Sequence, residues 1–207
     1  MPTLATAEAL APVRRLVKRA ALRARLALPG PRRIVVGTSG HAPPGWIATD
    51  IGSLNLLDEA DWRSRFAEGS LDAILAEHVW EHLAPAAGLE AAVRCARYLR
   101  PGGRLRVAVP DGLHPDPAYI AAVRPGGTGP GADDHKLLYT YRTLGALLER
   151  AGLAVTLLEH FDEAGRFHAA PWRWEDGPVR RSAAHDPRNA GGRLVYTSLI
   201  ADAVRPR

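Results

Sequence analysis

Two periods of apolar spacing divide the chain. From Glu8 to Leu28, the residues Leu10, Val13, Leu16, Val17, Ala20, Ala21 and Ala24 recur at helical spacing, with arginines and Lys18 between them. This pattern predicts an amphipathic helix with a basic opposite face. Pro12 suits its first turn, and Pro29-Gly30-Pro31 stops it. Beyond that point short apolar runs dominate: Arg33–Val36, Trp46–Thr49, Leu71–Ala76, Arg104–Val109, Leu153–Phe161 and Leu194–Ala201. Each has the length of a buried strand. Helices are predicted between them, over Asp58–Phe66 capped by Asp58, over Ala86–Leu99 stopped by Pro101-Gly102-Gly103, and over Leu144–Ala151 capped by Thr143 and ended by Gly152.

Strands that alternate with helices imply an α/β domain with a largely parallel sheet. Two stretches interrupt the alternation. Leu113–Asp134 carries Pro115, Pro117, Pro125 and Pro130 among four glycines, and Asp162–Arg193 is a second long excursion. Loops of this length inside a domain are usually lids or binding loops.

Four strands finish in polar or glycine-bearing tips: Gly37–Gly40, Asp50, Glu77–His82 and Asp111-Gly112. In open α/β sheets, ligands bind in the crevice outside the carboxyl ends of the strands, so these tips are the first candidates for a site. Composition narrows the function classes. The 207 residues suit one sizeable domain, and the single cysteine, Cys95, excludes an internal disulfide framework. The net charge of +5 is misleading as a whole. Residues 1–33 hold eight Lys/Arg and one Glu, so the remainder is mildly acidic. A nucleic-acid surface therefore has no strong signal beyond the first helix, whose basic face also suits a membrane surface or a protein partner. No uncharged apolar run reaches the length of a membrane span and no secretory signal pattern opens the chain. The expected location is cytoplasmic.

Two chemistries compete for the segment after the third strand. His78-Val79-Trp80-Glu81-His82 reads literally as HxxEH, the inverted zinc-peptidase motif. That reading makes the chain a zinc hydrolase, provided both histidines lie one helical turn apart and a third ligand comes from His114, His135 or Glu159.

The other reading follows from a resemblance. Gly37–Gly40, Gly45-Trp46 leading to Asp50, Asp72–Ala76 leading into His78-Val79-Trp80-Glu81-His82-Leu83, and Leu99 with Pro101-Gly102-Gly103 leading to Val109-Pro110-Asp111 occur in that order. Over residues 33–111 the chain resembles the class I S-adenosylmethionine-dependent methyltransferases, in their small type-11-like branch. The resemblance implies a Rossmann-like three-layer sandwich, mostly parallel, with a C-terminal antiparallel strand. It implies S-adenosylmethionine as cofactor and a small molecule or sugar as acceptor. Gly37, Thr38 and Gly40 would pass under the methionine part, Asp50 would hold the ribose hydroxyls, Leu54 and Asn55 would edge the adenine, and Glu77 and His78 would border cofactor and acceptor. It names no metal ligands. His135 and Asp111 are the candidate bases.

The sequence also departs from that family pattern. Val35 replaces an acidic residue usual before the first glycine, and only seven residues separate Gly37 from Gly45. The fold is therefore expected to be shortened at the first helix and third strand. A non-catalytic, methyltransferase-like interaction protein is the alternative. The expected organisation is a basic helical extension over 1–30 and an α/β domain over 31–207, with a homodimer among the partners considered.

Overall fold

The computed structural model describes residues 11–27, 29–38 and 41–207. One seven-stranded sheet runs through the domain in the order β2-β1-β3-β4-β7-β5-β6. Its strands are β1 (Arg33–Val36), β2 (Ile47–Ala48), β3 (Leu71–Glu77), β4 (Leu99–Pro110), β5 (Ala154–Phe161), β6 (Phe167–Ala169) and β7 (Ser198–Val204). The four on one side, β2, β1, β3 and β4, pair in parallel, while β7 runs antiparallel to both β4 and β5. The expected shortening is present: among the described residues no helix separates β1 from β2, and no strand lies between β2 and β3. β2 is nevertheless fixed firmly on β1, because the Thr49 amide and hydroxyl both donate to the Val35 carbonyl.

β3 is an interior strand of the sheet because it can be buried on both faces. Its Ile74, Leu75 and Ala76 are buried, and all its neighbours are strands. Helix α3 (Pro85–Tyr98) and helix α5 (Tyr141–Arg150) cover one face with Ala91, Ala92, Cys95, Leu144 and Leu148. A buried thiol in that layer is a packing residue: burial pushes its pKa up to about 12. Helix α2 (Glu59–Arg63) starts at Asp58, whose carboxylate accepts the Ala60 amide as expected. Trp62 from α2 stacks on Tyr98 with ring centres 4.9 Å apart.

Several boundaries differ from expectation. Helix α5 begins three residues early because Thr140, not Thr143, is its N-cap; Thr143 closes the reciprocal half of a capping box. The last strand starts at Ser198 although the apolar run begins at Leu194. The Asn189 side chain explains this, since its Oδ1 accepts the amides of Val195 and Tyr196 and holds them off the sheet. The first long excursion is more ordered than its prolines suggest. Asp116 caps helix α4 (Pro117–Val123), and Tyr119 and Val123 pack on Tyr196, which lies between the second excursion and β7.

Helix α1 (Ala11–Leu26) touches the domain near its C-terminal end, and the predicted apolar stripe is not the buried side. Leu22 is buried and Leu26 is partly buried against the core, flanked by Lys18 and Arg19, which pair with Asp50 and Asp61. Val13, Leu16 and Val17 face outward. Among the described residues, no helix is long and apolar enough to cross a membrane.

Candidate active site

The tips of β1, β2 and β3 open onto adjoining cavities. One of about 370 Å³ lies between the turn after β2 and the segment after β3; Gly37, Ile51, Leu54, Asn55, His78 and His82 are among its walls. A second, of about 340 Å³, is bounded by His78, Glu81, His82 and His135 and roofed by both excursions through Val123, Pro130 and Arg181, with Tyr196 beside them. His78 and His82 line both cavities, so they form the wall between them. A third cavity, of about 380 Å³, takes Gly37, Thr38, Glu77, Arg180 and Arg181.

The turn after β3 makes this division possible. His78 has φ +57°, the left-handed region, and is the one non-glycine residue there among those described. Such a conformation costs on the order of 1–3 kcal/mol and persists only where surrounding structure enforces it. Here the His78 amide donates to the Ala108 carbonyl and its Nε2 lies 3.0 Å from the Ser198 hydroxyl. The reversal sends Glu77 and His78 to different cavities. Glu77 accepts the Arg181 amide, which ties the second excursion to the sheet edge. Gly37 answers the same turn from β1. Its φ is +70°, and a Cβ there would fall 2.5 Å from Cγ2 of Val79.

Asp50 stands at the expected strand tip, but its carboxylate is occupied. Oδ1 accepts the amides of Gly52 and Ser53, and Oδ2 pairs with Lys18 of α1. Burial raises its pKa, but the Lys18 hydrogen bond and charge outweigh this and hold the carboxyl below its usual range. Asp50 lines a small cavity beneath α1 instead of the one holding Leu54 and Asn55. Gly40 lies outside the described residues.

The two candidate bases separate sharply. Asp111 is fully buried, with Oδ1 on the Leu113 amide and Oδ2 on the Phe161 amide. Burial raises its pKa against those two hydrogen bonds. It reaches none of the three cavities and acts as a clamp between β4 and β5. His135 does line the second cavity. Its Nδ1 lies 2.6 Å from the Val123 carbonyl, which can only accept, so Nε2 carries the lone pair. His114 and His168 are placed elsewhere, stacked on Tyr119 and paired with Asp162 respectively.

The HxxEH segment is a short 3₁₀ turn, Trp80–His82, not an α-helix. His78 and His82 therefore do not share one helical face, and the peptidase arrangement is not formed. Three groups escaped the sequence reading. Ile51 follows Asp50 and is 77% exposed at the cavity edge, an unusual place for a large apolar side chain. Arg181 comes from the far excursion, and Lys18 from the first helix; only the apolar-after-acidic order at 50–51 was a signal that could have been used.

Comparison with known proteins agrees with this geometry. A family model described as a methyltransferase domain matches residues 49–107. No curated protein matches in sequence. Among solved structures, an S-adenosylmethionine-dependent methyltransferase from Thermotoga maritima is similar at a TM-score of 0.51 and 11% identity, over 92% of this chain and 89% of that one. A carbon methyltransferase named CurJ gives 0.50 and 15%, over 93% of this chain and 54% of that one. An S-adenosylmethionine-dependent methyltransferase from Archaeoglobus fulgidus gives 0.47 and 14%, over 93% and 94%. The sheet order defines a Rossmann-like methyltransferase fold. Over residues 49–107 the chain is, in addition, similar in sequence to a methyltransferase domain.

Proposed function

We propose that the chain transfers a methyl group from S-adenosylmethionine to a small-molecule or sugar acceptor. The observation that carries this reading is the shared wall: two cavities of ligand size meet at His78 and His82, directly outside the carboxyl ends of β1 and β3. The cofactor side is fitted to an adenosine. Ile51, Leu54 and Leu57 offer apolar surface, and Gly37, without a Cβ, leaves the backbone open to close approach. Thr38 and Glu77, with Arg180 and Arg181 near them, suit the charged amino-acid end. The bound cofactor supplies an electrophilic methyl carbon. The protein's task is to align the acceptor with that carbon and exclude water. The acceptor occupies the cavity roofed by both excursions, where His135 presents its free Nε2. Asp111, clamped by two amides, has no part in this reading.

A second reading keeps its support from one contact. Lys18 sits on the carboxylate that would hold the ribose, which is what a decayed cofactor site in a non-catalytic interaction protein would show. In either reading the helical segment over residues 8–28 is a contact element. Its outward Val13, Leu16 and Val17 suit a membrane surface or a protein, a second copy of the chain included. Calorimetric titration with S-adenosylmethionine and its demethylated product separates the two. One molecule bound per chain supports the enzyme; no binding by the wild type or by Lys18→Ala leaves the interaction protein.

A further inference from the structure

Glu81 is a buried carboxylate without a hydrogen-bond partner. It is 0% exposed, and neither oxygen receives a hydrogen bond from any donor in the described structure. His78 Nδ1 is 2.9 Å from Oε1 but not in hydrogen-bonding geometry. A buried, unpartnered carboxylate is costly, and chains that keep one usually supply it with a cation, a water or a ligand.

Two imidazoles surround it. One ligand atom from each of Glu81, His82 and His135 lies within 4.8 Å of the other two, and His135 Nε2 is 4.0 Å from Glu81 Oε1. Each histidine has its other nitrogen held by an oxygen. His135 Nδ1 meets the Val123 carbonyl at 2.6 Å, and His82 Nδ1 meets the Asp134 carboxylate at 3.2 Å. Lys136 in turn holds Asp134. An oxygen partner on Nδ1 fixes the tautomer that leaves the Nε2 lone pair available, and metal-binding histidines are oriented in this way. The set arises from two distant segments, and the Lys136 amide joins them by donating to the Glu81 carbonyl at 2.7 Å.

We propose that Glu81, His82 and His135 bind one divalent transition-metal ion on the acceptor side of the wall. Two imidazoles and a carboxylate favour zinc and its neighbours over magnesium or calcium, which prefer all-oxygen sets. The remaining coordination positions face the 340 Å³ cavity, as in sites that keep an open position for substrate. Zinc would bring two charges to a carboxylate that accepts no hydrogen bond and has the His78 and His135 imidazoles near it. The use of the ion rests on the methyl-transfer reading: an acceptor hydroxyl bound to it would lose its proton to solvent at neutral pH. That oxygen would then form its bond to the methyl carbon as the carbon–sulfur bond breaks. The acceptor class is thereby an oxygen nucleophile able to ligate a metal. The binding of the ion does not depend on methyl transfer.

The test uses the full chain without a histidine tag, stripped by a chelator and titrated with zinc alone in a calorimeter. Cobalt is added in parallel for its visible absorption. The expected result is one equivalent bound per chain, weakened at least tenfold in Glu81→Gln and in His135→Gln, and unchanged in His168→Gln. Glu81→Gln should also melt no lower than the metal-free wild type, because it removes an unpaired buried charge. Failure of the wild type to bind zinc and cobalt overturns the site. So does equal binding in both site variants, or loss in His168→Gln as well. Cofactor binding is measured separately, so failure of methyl transfer and failure of the metal site are distinguishable.

Discussion

Lys18 of α1 and Asp50 at the tip of β2 form an ion pair across 32 positions of sequence. The pair closes the domain's acidic strand tip with the basic helix, and it uses the oxygen that a ribose would need. Cofactor and helix therefore compete for one carboxylate. Lys18→Ala should tighten S-adenosylmethionine binding. Lys18 is half exposed, and an exposed pair is worth about 1 kcal/mol or less, so the gain is limited to roughly fivefold. Calorimetry measures it, and an unchanged or weaker affinity would show that the pair does not oppose the cofactor.

The same pair has a pH signature. The pKa of Asp50 is lowered in the folded state, so its contribution is fully present above the ordinary carboxylate range near 4. It is lost as pH falls through the lowered folded value. Thermal melts of the wild type and Lys18→Ala should differ at pH 6 and converge in acid as Asp50 protonates. A gap that stays constant down to pH 2 would remove Asp50 as its cause.

Gly37 tests the turn that positions the site. Gly37→Ala meets two obstacles, a φ of +70° and a methyl 2.5 Å from Val79 Cγ2. The variant should lose about 1–2 kcal/mol in urea denaturation and bind cofactor at least tenfold more weakly. Adding Val79→Ala should restore part of the stability but not all of it, because the backbone strain remains. Full restoration would mean that the clash alone matters.

Much of this arrangement was legible in the chain. The apolar run at 73–76 marks an interior strand because only a strand buried on both faces lacks alternation. Its neighbours followed from the glycine and proline stops. The landmarks Asp50, Glu77 and His78 could be placed at strand tips for the same reason. What escaped depends on contacts between distant segments. No local pattern announces that Lys18 reaches Asp50, or that Asn189 captures the backbone of 195–196 and delays β7 to Ser198. The tautomer of His135 is likewise set by the Val123 carbonyl. Asp111 looked like a catalytic tip because the sequence shows a carboxylate at a strand end but not the two amides that engage it.

Arg106 and Asp202 anchor the second excursion. Arg106 is 1% exposed, forms a two-point pair with Asp202 at 2.7 and 2.9 Å, and donates to the Gly177 carbonyl. Asp202→Ala leaves that guanidinium buried without its counter-charge and should cost about 3–5 kcal/mol in urea denaturation. Proteolysis should then cut first within 170–180. A loss under about 1 kcal/mol would show that the carbonyl contacts suffice.

The most direct measurement is a crystal structure of the chain soaked with the demethylated cofactor product. Its density should run from Thr38 and Glu77 across Gly37 to Ile51, Leu54 and Asn55. The ribose should rest on Asp50, with Lys18 displaced from that carboxylate. Density bound elsewhere, or none at saturating concentration with the Lys18–Asp50 pair intact, would contradict a functional cofactor crevice at the tips of β1, β2 and β3.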